Sequence, residues 1–475
     1  MRLGGKAAVT VSVGALTAAL GGLSVPAVAG ATAGSASVLA SVMVQPGVLH
    51  AAKSAKQPPT TADCEAAFDV ACYEPGQIEQ AYNLPALYAK GITGKGATIV
   101  IVDSFGSPTI TSDLNAFDKT FGLPAPPSFK IIQPAGKVPP FDINNSDMVG
   151  WAGETSLDVE YAHTIAPGAN IVLVETPVSE TEGVTGFPQI VKAEEYVINH
   201  HIGDVISQSF SATEQTFPSE KTIQALRGAY LDAYAHHVTV LAASGDSGAA
   251  DVGLDGETYY TFPVTSWPDS DPLVTGVGAT QLHLDANGNH TSPDSAWNDT
   301  YSVATNQFIF GDNGPNPLAS GGGKSIYFSR PTYQNNVKNV VGSSRGVPDI
   351  SMSGACNGAV DVYESFPGVA GAWFPTCGTS EATPEFAGIV ALAASFAHRP
   401  LGLINPALYL MSALKAPGLV PVTSGNNTVT FSQNGQTYTV RGFSARAGYS
   451  LVDGVGTVNA ALFVPELAGF AGFGG

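Results

Sequence analysis

The chain has 475 residues, of which only 12% are Asp, Glu, Lys or Arg, and its formal net charge is −19. That sign excludes a nucleic-acid surface, which needs a basic patch, and argues equally against a face for anionic membranes. The length supplies a sizeable core, arranged as one large domain or as many as about three.

The N-terminus reads as an export signal: Arg2 and Lys6 are basic, an apolar run follows from Ala7 to Leu23, and "PAVAG" offers Ala27 and Ala29 before Gly30. A cleaved signal over 1–29 is expected in preference to an anchor, because glycines break the apolar run. Residues 30–72 read as a short leader or linker, poorly ordered over 30–62, with order setting in near Cys64. Export permits disulfides. Cys64, Cys72, Cys356 and Cys377 allow three connectivities, and the pairing of sequence neighbours, Cys64–Cys72 and Cys356–Cys377, is expected. A metal site is the rival reading, but no pair of histidines stands beside them at ligand spacing.

"GATIVIVD" (96–103) is a continuous β-branched run ending at Asp103, as in a strand buried on both faces. Helical spacing follows over 154–164, a strand over 169–175, a helix over 187–200, a strand over 203–210 and a helix over 220–237. A further strand from 238 runs into the glycine-bearing loop "SGDSG" (244–248). This alternation predicts an α/β fold with a central parallel sheet flanked by helices. The crevice of such sheets lies at the carboxyl ends of the strands, where Asp103, Ser209 and Asp246 fall. Residues 252–340 are turn-rich, and a long apolar helix begins near 385.

Glu154 and Asp158 lie four residues apart on one helical face, where like charges cost a few tenths of a kcal/mol. They are either a solvated face or a pair sharing one proton, in which case one of them is a candidate base. Ser380, in "CGTSEATPEFAG", precedes an apolar helix with Pro384 in its first turn. It is a helix cap, or a nucleophile placed where free N–H groups favour an oxyanion. Serine needs a base. His163 stands in the same helix as Asp158, so an Asp103–His163–Ser380 arrangement is the rival to Glu154. Asp246 is a turn residue, or a neutral acid able to donate a hydrogen bond to an oxyanion.

These motifs together resemble the sedolisins, the serine-carboxyl peptidases. "YEPGQIEQAYNLP", "GETSLDVEYAHTIAPGA", "SGDSG", "SGGGKSIYFSRPTYQ", "RGVPDIS" and "GTSEATPEFAGIVALAA" follow in that family's order over most of 73–463. The resemblance implies a subtilisin-like fold over 73–465, followed by a Gly-rich tail (466–475), and a secreted endopeptidase or tripeptidyl-peptidase acting at acidic pH. By position it implies Ser380 as nucleophile, Glu154 as base, Asp158 as its partner, Asp246 as oxyanion donor and Asp103 as a supporting acid. The implied partner is a peptide or protein substrate of a monomer, with no nucleic acid and no membrane after signal cleavage. The alternatives are the histidine-based peptidase and a catalytically silent binding protein on the same scaffold.

Three departures accompany the resemblance. The catalytic-like domain is expected straight after a short leader, where relatives carry a long propeptide. The family's calcium site looks degraded: Pro421 and Ser450 stand where aspartates are expected, and Arg446 replaces a glycine, so calcium is doubtful as a cofactor. "SQSFSA" puts Phe210 at the family's tryptophan position.

Overall fold

The computed structural model describes residues 49–51 and 53–471. The expected signal segment, the start of the leader and residues 472–475 lie outside them. The strand and helix runs read above alternate as expected. They are β1 (Thr98–Ser104), α1 (Ile110–Phe121), β2 (Phe129–Ile132), α2 (Ser146–Ile165), β3 (Asn170–Thr176), α3 (Phe187–Asn199), β4 (Val205–Gln208), α4 (Gly228–Ala235) and β5 (Thr239–Ala243). The sheet is completed by β6 (Thr275–Gln281), β7 (Ser295–Ala296) and β8 (Ile350–Ser353), and helices α5 (Thr379–Ala397) and α6 (Ala460–Phe470) follow. The eight-stranded sheet has the order β7-β6-β5-β4-β1-β3-β2, with β8 also on β6. All pairs are parallel except β6 with β7.

The pleat decides which face each residue serves. Ile99 and Ile101 of β1, with Ile171 and Leu173 of β3, pack into the core shared with α2 and α5. Val100, Val102, Val172 and Val174 face the opposite core, under α3 and α4. Asp103 continues the first series, so the alternation that buries the isoleucines also turns this acid toward α2.

Several boundaries differ from the sequence reading. The leader is part of the folded unit from Leu49: Leu49–His50 pairs antiparallel with Thr376–Cys377, and Ala55 bridges Trp373. The added strand covers an otherwise exposed sheet edge. Thr60 and Asp63 then form a capping box for the helix Thr61–Phe68. The tail is helical through Phe470, because Leu467 and Ala468 are buried there, Leu467 in the main core. The helix expected over 220–237 is two, broken at Arg227–Gly228. Both disulfides, Cys64–Cys72 and Cys356–Cys377, are present as paired above.

The interior holds many acids and few cations. Among the described residues only Arg227–Asp271 and Arg345–Asp349 are ion pairs to arginine, and none involves lysine. Burial pushes Asp299 up to about 6, Asp118 to about 7, and Glu194 and Glu364 to about 8. Each such carboxyl keeps its proton to higher pH in the native than in the unfolded chain. The native state therefore binds more protons between about pH 4, the ordinary carboxylate range, and about pH 8, and stability falls as pH rises through that window. His50 and His163, held down by burial, act in the opposite sense but are only two. Thermal denaturation should show Tm falling by roughly 5 °C or more from pH 4 to pH 7; a Tm that rises over that interval contradicts this account.

Candidate active site

The long helix α2 begins eight residues before its expected start, at Ser146. The Asn145 side chain accepts the Asp147 and Met148 N–H groups and supplies the cap. From Trp151 to Ile165 every residue is buried. Glu154 is 1% exposed and Asp158 0%, so they do not form a solvated face. The helix packs between β1 and α5, which places both acids beside the first turn of α5.

Asp103, Asp158 and Glu154 form one desolvated series. Burial raises Asp103 to about 7, with the nearby Thr155 and Asp158 side chains pulling the other way. Asp158 is held well above the carboxylate range by burial, then by the charges of Asp103 and Glu154. Ser209 Oγ donates to its Oδ1 at 2.7 Å. Glu154 is likewise raised by burial, while the Ser380 hydroxyl pulls it down and the charges of Asp103 and Asp246 push it up. Ser380 Oγ makes no hydrogen bond of ordinary length and angle, yet it lies near enough to Glu154 to exert that pull. Catalytic contacts are often loose before substrate binds.

Asp246 lies on the other side of Ser380. Its Oδ1 accepts the Thr379 N–H at 2.7 Å and the Thr379 hydroxyl at 2.8 Å, while Oδ2 has no partner. Burial raises this carboxyl to about 6. With both donors on Oδ1, the proton of the neutral form belongs on Oδ2. Gly378 makes this approach possible: its φ is +120°, and a Cβ there would stand 2.8 Å from Asp246 Oδ2. The Ser380 N–H lies in the first turn of α5, where N–H groups have no intrahelical acceptor. The helix starts at Thr379, so Pro384 lies in its second turn rather than its first. Proline has no N–H to give the Ser380 carbonyl, whose nearby donor is Ser209 Oγ at 3.4 Å.

His163 is not brought to Ser380. Its Nε2 sits 2.7 Å from the Pro124 carbonyl and 3.3 Å from Asp118, under α1. Burial holds His163 down to about 4 and Asp118 up to about 7. Both shifts run against an ion pair, so this is a contact between neutral groups. Phe210, at the expected tryptophan position, is 1% exposed and meets Trp151 and Phe187 edge-on. It closes the site on the side of α3.

The sequence reading missed Thr155, Thr379 and the roles of Ser209. It also missed Glu381 and Glu385 on α5, both 0% exposed and raised well above the carboxylate range by burial. Their i, i+4 spacing repeats that of Glu154 and Asp158 and was the available signal.

A parallel sheet of this order, with a serine opening a buried central helix, defines a subtilisin-like α/β scaffold. The chain belongs to the subtilase family, whose model matches residues 144–408. Its relatives place it with the sedolisins. Kumamolisin from Bacillus sp. (strain MN-32) is 31% identical over 366 residues, which is 75% of this chain and 58% of that protein. Sedolisin from Pseudomonas sp. (strain 101) is 28% identical over 388 residues, 80% of this chain and 59% of that one. The chain thus spans under two thirds of the length of these relatives. The solved structure of Pseudomonas sedolisin, a serine-carboxyl proteinase, complexed with two molecules of pseudo-iodotyrostatin superposes with a TM-score of 0.66. It is 24% identical and covers 83% of this chain and 97% of that one, which supports the fold.

The residues at the family's calcium position do not fit the ion. Arg446 Nε donates to the Tyr449 carbonyl at 3.2 Å, so a guanidinium holds an oxygen of the kind calcium would need. The nearest acid, Asp453, is 1% exposed, and burial holds its carboxyl toward the neutral form. Ser450 Oγ lies 3.4 Å from it and takes the Asp453 N–H. Among the described residues no three His, Cys, Asp or Glu are grouped to hold a metal. Millimolar calcium, or its removal by chelator, is expected to move Tm by less than about 1 °C, where a site coupled to folding would add several.

Proposed function

We propose that the chain is a serine-carboxyl peptidase that hydrolyses peptide bonds in an exported, oxidising setting, with which its two disulfides are consistent. The observation that carries this reading is the buried cluster in which the Ser380 hydroxyl acts on Glu154, Asp246 binds the adjacent Thr379, and Asp158 and Asp103 adjoin Glu154. Clustered carboxyls displaced by burial and mutual charge, beside a nucleophile, are a functional signature.

Ser380 Oγ attacks the scissile carbonyl as Glu154 takes its proton. The Glu154 carboxylate is the member of the acid series that the Ser380 hydroxyl stabilises. Asp158 and Asp103 hold protons behind it and fix its orientation. The oxyanion forms against the proton on Asp246 Oδ2 and the Ser380 N–H. Glu154 returns the proton to the leaving amine, and water attacks the acyl-enzyme by the same route in reverse. The donor role of Asp246 requires its protonated form, which is lost as pH rises through about 6. The base role of Glu154 requires its ionised form, which is lost at low pH. Activity is thereby confined to the acidic range.

A pH–rate profile on a mixed peptide library, with Ser380→Ala as the blank, tests the reading. A maximum on the acidic side, above the ordinary carboxylate range of about pH 4, and a fall above about pH 6 are expected; activity peaking above neutral, or equal to the blank throughout, refutes it. Asp246→Ala should lower kcat by roughly 10²–10³-fold. Asp246→Asn, whose amide donates without needing a proton, should retain part of the rate and shift the alkaline limb upward.

A further inference from the structure

A cavity of about 140 Å³ opens at the carboxyl ends of β1 and β3, bounded by the first turn of α2. Its walls include Phe105, Pro108, Val138, Phe141 and Met148, and Glu175 lies among them. Phe105 and Phe141 are half-buried and Pro139 is exposed at the rim. Glu175 is only 7% exposed. Its Oε2 accepts the Gln133 Nε2–H at 2.7 Å, and among the described residues no lysine, arginine or histidine pairs with it. Phe105 and Gly106 both have positive φ, 60° and 72°, and fold the chain down onto this carboxyl. A Cβ at Gly106 would stand 2.2 Å from Glu175 Oε1. A non-glycine residue in the left-handed region is uncommon and marks a constrained site.

The cavity belongs to the same end of the sheet as the acid series. Glu175 is the register partner of Asp103 on the neighbouring parallel strand, so both side chains leave the same face. Met148 precedes Glu154 by six residues on one helix, a separation of about 9 Å along its axis. An extended peptide advances about 3.3 Å per residue, so a side chain roughly two to four residues from the scissile bond reaches this distance.

A half-open cavity whose walls carry Phe105, Pro108, Val138, Phe141 and Met148 around one carboxyl that no cation among the described residues pairs with matches a side chain with an aliphatic stem and a cationic head. We infer that this cavity is a substrate subsite for a lysine or arginine side chain, with Glu175 as its specificity-determining residue. The inference rests on the peptidase reading for its role in cleavage, but binding at the slot is separable from turnover.

The test uses eight-residue peptides carrying lysine or its neutral isostere norleucine at each position in turn, at about pH 6, the alkaline edge of the expected activity. Cleavage by the wild-type protein should favour lysine at one position only, by roughly tenfold in kcat/KM. Glu175→Gln keeps the hydrogen bond to Gln133 and should bring that ratio close to one. The ratio is the informative quantity. A purely structural effect, or one exerted through the neighbouring Asp103, alters both peptides alike. The same lysine-to-norleucine ratio is measured as Kd on the Ser380→Ala protein, with and without Glu175→Gln. Absence of wild-type cleavage beyond the Ser380→Ala blank defeats the peptidase reading, while a Glu175-dependent binding ratio still supports the subsite. A ratio near one in both assays, or one that Glu175→Gln leaves unchanged, overturns it.

Discussion

The contact between two buried helices, Ser146–Ile165 and Thr379–Ala397, is the constraint on which the site depends. One brings Glu154 and Asp158, the other Ser380, and the strand Thr98–Ser104 beneath them ends in Asp103. Water is excluded from this junction, so each carboxyl there is costly to ionise and each charge is felt strongly by its neighbours. The fold satisfies a buried acid fully elsewhere. Asp349 takes the Arg345 guanidinium, the Tyr409 hydroxyl at 2.8 Å and the Asn405 amide at 3.2 Å. Among the described residues no comparable cation pairs with Glu154, Asp158 or Asp103. Their proton-holding tendency therefore comes from position, since the same residue type is compensated at one site and left uncompensated at another.

The sheet supplies the positions cheaply. Strand alternation that places Ile99 and Ile101 under the helices carries Asp103 to the same face, and the parallel register repeats the pattern as Ile171, Leu173 and Glu175. Two acids thus arrive side by side at the carboxyl end without any special backbone. What differs is their surroundings. Asp103 lies under the helix beside Thr155 and Asp158, and burial raises it to about 7. Glu175 lies one strand outward, against Gln133 and the cavity lined by Phe105, Phe141 and Met148. Two neighbouring carboxyls can therefore serve different ends, the first in the proton network and the second in recognition.

Much of this was legible in the sequence because it is local. The β-branched run 96–103, the four-residue spacing of Glu154 and Asp158, and the order of the motifs each follow from short stretches. What was not legible depends on distant partners. Leu49–His50 is strand only because Cys377 and Thr376 lie opposite, and Leu49 and Cys377 are 328 residues apart in sequence. The early start of the helix at Ser146 was masked by Gly150 and Gly153, which lower helix propensity but are tolerated once the helix is packed. Glu381 and Glu385 are buried because the helix is enclosed on all sides over 379–394 by partners distant in sequence. The slot around Glu175 joins residues from two strand ends, a loop and a helix turn, and no window of sequence contains it.

Stability and chemistry make opposing demands on the same protons. Uncompensated buried acids favour the protonated state, and so does an oxyanion donor on Asp246 Oδ2. A base on Glu154 needs one charge in that same volume. Sharing resolves the conflict. Burial holds Glu154, Asp158 and Asp103 above the carboxylate range, and the charge of Asp103 adds to this at the other two, so the group can lose one proton while retaining the others, and the Ser380 hydroxyl draws the single charge to Glu154. Glu381 extends the same logic, since the charge of Asp246 adds to burial in raising its cost of ionisation. An ionised Glu381 would favour the proton on Asp246, yet its own burial keeps it neutral, so the field at Ser380 is set by one charge and not by five.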